Sequence, residues 1–511
     1  MGKISASLTD ASIALDRSSA TPLHRQLYDQ LREAILSGRL APGMRLLSTR
    51  ELAGELGIGR NTVINAFDQL HAESYLDRRV GDGTYVSRQL PDDLLRAKSD
   101  RVAWQGSKRN VPSLSRWGEV AAATPIGPGE YEGRPRPFRT SVPALDAFPF
   151  KLWGKLLARR WKHSGRELLP YGAAAGYLPL RKVIASYLSN TRGVRCVPEQ
   201  VIITSGSQSA LELLAKALLN PGDVVWIEDP GFLGARVAFH ATGARLIPAP
   251  IDEEGVNVRG IIKRRANPRL IYVTPSHQYP LGMTLTLSRR LALLEVASKA
   301  GAWIIEDDYD SEFRYVGRPL AALHGLDTEQ RVIYVGTLSK VLFPSIGIGY
   351  IIAPPDLFDA LVVARSLAGR QSPMLEQAAL ADFICQGHFA RHIRKMRALY
   401  AERQQALLNA GKRELEGLLD IRPSDAGMHL IGWLPEGIYD RAASNVASAV
   451  GVEVTPLSSY SIEPQRRGAL RLGYTGYTPR EISHATRKLA TALRSLNSGR
   501  LCCLRAEQQG Q

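Results

Sequence analysis

The feature that most constrains this chain is residues 333–350, Ile-Tyr-Val-Gly-Thr-Leu-Ser-Lys-Val-Leu-Phe-Pro-Ser-Ile-Gly-Ile-Gly-Tyr. A short β-rich run, 332–335, ends in small and hydroxylic residues, and one lysine, Lys340, follows at once. A lysine on a rigid element past a strand end is partly desolvated, which lowers its pKa and frees an amine for Schiff-base chemistry. Upstream, residues 303–313 read Trp-Ile-Ile-Glu-Asp-Asp-Tyr-Asp-Ser-Glu-Phe, an apolar run that stops in a cluster of acids. Glu306, Asp307, Asp308 and Asp310 have no histidine among them and fit no calcium-loop spacing, so no metal site is expected.

A carboxylate at a strand end can hold a pyridinium nitrogen protonated, which keeps a pyridoxal ring an electron sink. Asp307 is the expected partner for that nitrogen, and Tyr309 the expected donor to the ring's phenolate oxygen. Residues 201–214 read as a strand, a small-residue turn and a helix. A helix amino terminus with free N–H groups and hydroxyls is a ready phosphate site, which Ser207, Gln208 and Ser209 would supply. Strand-like runs at 302–307 and 332–335 alternate with helical patterns, which predicts an α/β domain with a mostly parallel sheet. Ligands bind such sheets beyond the strand carboxyl ends, where Ser207, Asp307 and Lys340 all fall.

Together these stretches resemble the pyridoxal 5'-phosphate (PLP) domain of the fold-type I transferases, the aminotransferases among them. That resemblance implies a PLP Schiff base on Lys340. It puts Phe232, in Glu-Asp-Pro-Gly-Phe, where the family stacks an aromatic on the ring. It puts His277 and Gln278 near the position that bonds the ring oxygen. In the smaller carboxy-terminal part it makes Arg471 the residue that grips a substrate carboxylate, since arginine can engage it bidentately. One departure is visible. The family commonly carries an arginine seven residues after the lysine to hold the phosphate, and this chain has Gly347. Losing a charge-assisted contact weakens binding by about 1.5–3 kcal/mol, roughly 10- to 150-fold. Thr337, Ser339 and the Ser207–Ser209 turn are the expected compensation.

The amino-terminal part, residues 20–88, reads differently. Leu23, Leu27, Leu31, Ala34 and Ile35 recur at helical spacing. Ser48-Thr49-Arg50-Glu51 is a capping box opening a second helix with Leu52, Ala53 and Leu56 inward. Gly57-Ile58-Gly59 turns the chain, and a third helix starts near Arg60, burying Val63, Ala66, Phe67 and Leu70. Arg60, Asn61, Thr62 and Asn65 face outward at its start, as on the recognition helix of a helix-turn-helix, where arginine pairs with guanine and asparagine with adenine. Residues 75–86 form two short β runs around Gly81-Asp82-Gly83, a hairpin that would serve as a wing. Arg50, Thr62 and the Gly81 region are the expected phosphate and groove contacts.

In order, Pro-Leu-His-Arg-Gln-Leu, Ser-Thr-Arg-Glu-Leu-Ala, Arg-Asn-Thr-Val and Gly-Asp-Gly-Thr-Tyr-Val resemble the GntR-type winged helix. The resemblance implies that Arg50, Arg60, Asn61 and Thr62 sit where that family touches DNA. Leu47 stands where a proline is usual, and Ser74 where the family mostly has glycine. Both departures affect turns and leave the base-facing residues alone.

Charge alone does not identify a partner. The chain carries a formal +16 over 511 residues, yet residues 22–88 hold nine arginines and eight acids, so the excess lies elsewhere. Residues 89–145, rich in Pro, Gly and charge, are expected to be a flexible linker, with Arg96, Lys98, Arg101, Lys108 and Arg109 solvated. Residues 146–498 form the large domain, and 499–511 a polar tail. No apolar run approaches the roughly 20 residues of a membrane span, so no membrane partner is expected. The first twenty residues show no basic start before an apolar block, so no secretory leader is expected. Four cysteines without a CxxC pair suit a reducing cytoplasm.

A winged helix-turn-helix joined to a fold-type I PLP domain resembles the MocR/GabR class of GntR-family regulators. That implies a homodimer that binds double-stranded operator DNA and answers a small amine, an amino acid or PLP itself. Two other readings stay open: a PLP-dependent aminotransferase with an appended DNA-binding domain, and a regulator whose large domain no longer holds PLP.

Overall fold

A computed structural model of the chain describes residues 13–79, 81–90, 113–124, 135–163, 165–317, 320–369 and 372–508. It forms two units, Met1–Pro112 and Ser113–Gln511.

In the first unit, α1 (Leu23–Leu36), α2 (Thr49–Leu56) and α3 (Arg60–Ala72) precede a hairpin of β1 (Leu76–Arg79) and β2 (Gly83–Val86). The capping box forms as expected: the Ser48 hydroxyl accepts from Glu51 N–H, and the Glu51 carboxylate accepts from Ser48 N–H. Gly57 ends α2 in the left-handed region (φ 62°), which sets the turn into α3. Leu27, Leu31, Ile35, Val63, Phe67, Leu70, Leu76 and Val86 make one core, and Leu90 joins it. Ser74, replacing the usual glycine, takes φ 64°, a conformation that costs an L-residue about 1–2 kcal/mol.

The second unit is built on an eight-stranded sheet. In chain order its strands are β3 (Val201–Thr204), β4 (Val224–Asp229), β5 (Arg245–Asp252), β6 (Gly255–Val256), β7 (Leu270–Val273), β8 (Trp303–Asp308), β9 (Val332–Thr337) and β10 (Gly349–Ile352). Spatially they run β3-β10-β9-β8-β7-β4-β5-β6. The pairs between β9 and β5 are parallel; only β10 and β6 run against their neighbours. Side chains alternate across the sheet. Ile227, Tyr272, Ile305, Ile333 and Val335 pack on one face with Ala210, Leu211 and Phe239, while Trp226, Ile271, Ile304 and Val332 pack on the other with Leu293 and Ala297. That alternation decides the site, because Asp307 continues the parity of Ile305 and lies on the same face as Tyr272.

A smaller antiparallel sheet, ordered β11-β12-β14-β13, follows: β11 (Asp420–Ile421), β12 (His429–Trp433), β13 (Thr455–Pro456) and β14 (Ala469–Gly473). Arg471 lies on the inner strand β14, across from Ile431 and Thr455.

The stretch expected as a linker, residues 89–145, holds ordered structure at 113–124 and 135–145. Residues 91–112 and 125–134, with Arg96, Lys98, Arg101, Lys108 and Arg109, lie outside the described residues. Between them stands a helix, α4 (Arg116–Ala123), capped by Ser115. Residues 135–145 are part of the large unit: Phe138 is fully buried, and Arg139 Nε bonds both carboxylate oxygens of Glu453 at 2.7 and 2.8 Å. A lone phenylalanine among prolines and arginines has no periodicity, and its backbone is tied to distant chain: the Phe138 carbonyl accepts from Gly473 N–H at 2.9 Å. At the other end, the last helix, Pro479–Gln508, continues into the stretch expected as a tail.

Candidate functional site

The strand carboxyl ends of the large unit open on a cavity of about 830 Å³, within the range of small-molecule sites. Ser207, Gln208, Phe232, Asp307, Tyr309, Lys340 and Arg471 line it together, although 264 residues separate the first from the last (471 − 207). After α5 (Phe150–His163) and α6 (Leu178–Arg192), helix α7 (Ser207–Leu218) points its first turn into the cavity, and no side chain caps it. Phe232 lies just before α8 (Leu233–Ala241). Lys340 follows the end of β9 by three residues.

The acids of the cluster have separate partners, which identifies the one that faces a ligand. Glu306 accepts from Leu323 and His324 N–H, both at 2.8 Å. Asp308 is held by Arg192 at 2.9 Å and by the Tyr334 hydroxyl at 2.6 Å. Asp310 lies 3.1 Å from His277 Nδ1. Asp307, 4 % exposed, accepts from the Tyr272 hydroxyl at 2.7 Å through Oδ2, but its Oδ1 is buried with no hydrogen-bond partner. A buried carboxylate oxygen without a donor costs free energy. Burial accordingly pushes the Asp307 carboxyl up to about 7, against the Tyr272 hydrogen bond. A protonated ring nitrogen is the donor that this oxygen lacks.

Lys340 shows the converse shift. Desolvation, then the Arg471 guanidinium, bring its amine down to about 8, against the pull of Asp310 and Asp307. An amine so poised is half neutral near pH 8, far more so than an ordinary lysine, and able to attack a carbonyl.

Arg471, 4 % exposed, donates to the Tyr279 hydroxyl through Nη1 and to the Thr140 hydroxyl through Nη2. Its guanidinium lies 4.7 Å from the ring centre of Tyr279 and 4.8 Å from that of Tyr460. Its Nε is buried without a partner. Two aromatic faces and two hydroxyls hold the cation in place, and among the described residues no carboxylate pairs with it.

Several expected residues are not on the wall. Ser209 is two positions into α7, a rotation of about 200°, so it faces away from Ser207. The Thr337 hydroxyl accepts from Ser339 N–H at 3.3 Å, so both serve the turn before Lys340 and neither lines the cavity. His277 is buried behind it, with Nδ1 2.9 Å from the Tyr309 hydroxyl, and the Gln278 amide bonds Pro230 and Tyr279 carbonyls. Tyr279 is the one that reaches the cavity from this segment. Tyr272, Thr140, Arg139 and Tyr460 are further wall residues that periodicity does not reveal. Gly347 (φ 54°) offers no side chain, and a Cβ there would meet nothing nearer than 3.9 Å.

In the first unit, Arg50, Arg60, Asn61 and Asn65 are exposed and Thr62 is half-buried. Arg60 Nε reaches the Thr49 hydroxyl at 3.4 Å, which links the starts of α2 and α3. Gly81 is exposed at the tip of the hairpin.

Fold and cavity thus define a protein with a winged-helix DNA reader and a PLP-binding domain of aminotransferase type. Residues 23–86 match the model of the bacterial regulatory proteins of the gntR family, and residues 143–489 that of the class I and II aminotransferases. The chain is 42 % identical to the probable rhizopine catabolism regulatory protein MocR of Rhizobium meliloti, over 95 % of this chain and 97 % of that one. It is 32 % identical to the pyridoxine biosynthesis transcriptional regulator PdxR of Corynebacterium glutamicum, over 89 % and 92 %. Its large unit resembles the α-aminoadipate aminotransferase LysN of Thermus thermophilus, solved with N-(5'-phosphopyridoxyl)-L-leucine: TM-score 0.66, 30 % identity, 76 % of this chain and 96 % of that one. The chain belongs to the MocR-type transcription regulators of the gntR family, and its cofactor is pyridoxal 5'-phosphate.

The cavity fits that cofactor. PLP supplies a carbonyl that an amine can capture and a ring that withdraws electrons from it. Lys340 offers the amine and Asp307 Oδ1 the bare acceptor. Phe232 offers an aromatic face, and the α7 amino terminus an anion site.

Proposed function

We propose that this regulator reads its operator through α3 and the hairpin, carries PLP on Lys340, and changes operator affinity when a small amine or amino acid enters the cavity. Ser207 and Gln208 take the phosphate, Phe232 the ring face, Asp307 the ring nitrogen and Tyr309 the phenolate oxygen. Arg471 grips an effector carboxylate. Arg50, Arg60, Asn61, Thr62, Asn65 and the Gly81 tip meet the DNA. The observation that carries the reading is the bare Oδ1 of Asp307, facing the same cavity as Lys340 and Arg471, in a chain that also has an exposed arginine–asparagine helix start.

The working form is a homodimer in the cytoplasm. Phe150, Trp161, Leu169 and Tyr171 are large apolar side chains left exposed along residues 150–171, a surface suited to a second copy. Two readers would meet paired half-sites. An effector shifts operator affinity only as far as it binds two arrangements of the protein unequally.

The test is a promoter-fragment titration of PLP-loaded protein with and without a panel of amines and amino acids, alongside light scattering. Operator binding by a dimer, altered about fivefold or more by one amine, is the expected result. Repeated turnover of amino acids without DNA binding would instead favour an aminotransferase, which the cavity's complete set of Lys340, Asp307, Tyr309 and Arg471 makes the second reading.

A further inference from the structure

The wall of the cavity is not made by the aminotransferase core alone. Ala121 and Thr124, at the carboxyl end of α4, line it beside Phe232, Leu233, Gly234 and Val237 of the α8 region. Helix α4 packs along α8. Near its other end, Arg116 Nη1 lies 3.4 Å from where a Cβ on Gly243 would be, just past the carboxyl end of α8. So α4 lies against the whole length of α8.

We propose that α4 is an effector-reading element: Ala121 and Thr124 meet the substituent of an amine held at Lys340, and that contact fixes α4 against α8. This rests on the function proposed above and adds which residues sense the occupant. Three observations carry it. The side of α4 turned towards α8 consists of Gly118, Val120, Ala121 and Thr124, all half-buried, and no residue of the helix is fully buried. Docking held by so little apolar area is readily reversible, so one additional contact from an occupant is a large fraction of what holds it. Ala121 presents only a methyl group on this side, while Leu114 and Trp117 remain exposed on the rest of the segment.

The chemistry at the wall is also selective. The Thr124 hydroxyl donates to Val120 O at 2.7 Å, which leaves its oxygen free to accept from a donor on the occupant. Ala121 offers only a methyl group and sets the room available. An amine whose substituent ends short of α4 would make neither contact. Finally, α4 is the first described element past Leu90, the last residue of the reader's core, so it belongs to the stretch of chain that leads to the reader. A ligand that contacts α4 only when it is docked must favour the docked state, and any difference in operator affinity between docked and undocked protein follows by linkage.

The probe is N-(5'-phosphopyridoxyl)-L-leucine, a stable molecule that joins cofactor and amino acid, compared with PLP alone on the full-length protein. Amide hydrogen exchange is read over residues 116–124, and operator affinity on a promoter fragment that the protein binds. The expected result is exchange slowed about fivefold or more by the probe relative to PLP, with a shift in operator affinity of similar size. Val120→Glu places a charge on the half-buried face of α4 but off the cavity wall. It should leave probe uptake intact while abolishing both effects. Uptake of the probe with exchange at 116–124 unchanged overturns the inference, as does a Val120→Glu protein that responds like the wild type. Failure to take up either PLP or the probe contradicts the cofactor reading itself, and this inference with it.

Discussion

The two units place their working residues in opposite environments. In the reader, Arg50, Arg60, Asn61 and Asn65 stand in solvent on helices whose other faces make the core. In the large unit, Asp307 and Arg471 are almost sealed, and Lys340 and Asp307 have moved from their ordinary pKa values by burial. A groove reader needs charges that stay hydrated until the nucleic acid displaces water. A cofactor site needs groups held out of water, where a single unpaired oxygen selects the atom it will bond. One chain therefore divides its labour by burial, and each half should fail independently of the other.

The largest expected effect breaks the reader alone. Replacing Arg60 and Asn61 by alanine removes the two side chains proposed to contact bases, at about 1–3 kcal/mol each, so operator affinity should fall by about 30-fold or more. The PLP absorbance of the same protein should be unchanged; a parallel loss of cofactor would mean the units are not separable in this way.

Asp307→Asn breaks the other half. Loss of the charged partner should weaken PLP by roughly 10- to 150-fold in an absorbance titration, with operator affinity of the cofactor-free protein retained. The same change has an opposite effect on stability. Because the folded carboxyl holds its proton up to about 7, the folded state binds more protons than the unfolded one between the ordinary value of 3.8 and that pH. Its contribution to stability is therefore full below that window and is lost as pH rises through it. Cofactor-free Asp307→Asn protein should melt higher than wild type at pH 8, and the difference should disappear near pH 4. A lower melting temperature at pH 8 would contradict the burial argument.

Gly347→Arg sharpens the comparison by returning a cation to the phosphate end. A Cβ there meets nothing nearer than 3.9 Å, and the left-handed backbone costs about 1 kcal/mol of folding stability with or without PLP, so a gain in PLP affinity of roughly 10- to 150-fold is expected beside a lower melting temperature. The smallest effect lies in the reader. Ser74→Gly relieves a positive φ and should raise its stability by about 0.5 kcal/mol in denaturant unfolding, without altering operator contacts.

Much of this was legible in the sequence because it is local. The Ser48 capping box, the Gly57 turn and the inward Val63, Ala66, Phe67 and Leu70 follow from spacing within one or two turns of helix. Lys340, Asp307 and Ser207 were visible because each closes a strand, and strand ends in such sheets share a side. The rest depended on long-range packing. Tyr272 lies inside an apolar strand, and its hydroxyl matters only because the strand register sets it beside Ile305 on the face of Asp307. Tyr279 stands next to the expected Gln278 but on the other side of the chain. Thr140 meets Arg471 across 331 residues, and α4 meets α8 across a connector whose composition suggested no structure. No periodicity encodes such contacts.

The account rests on covalent capture of a carbonyl by Lys340 in a protein whose other half holds DNA. The direct measurement is borohydride fixation of PLP followed by peptide mapping, and operator titration with an amine, on wild type and Lys340→Ala. Wild type should carry the label on the peptide containing residue 340 and change operator affinity with the amine, whereas Lys340→Ala should bind the operator, take no label and ignore the amine. A Lys340→Ala protein that is still labelled and still answers the amine would contradict it.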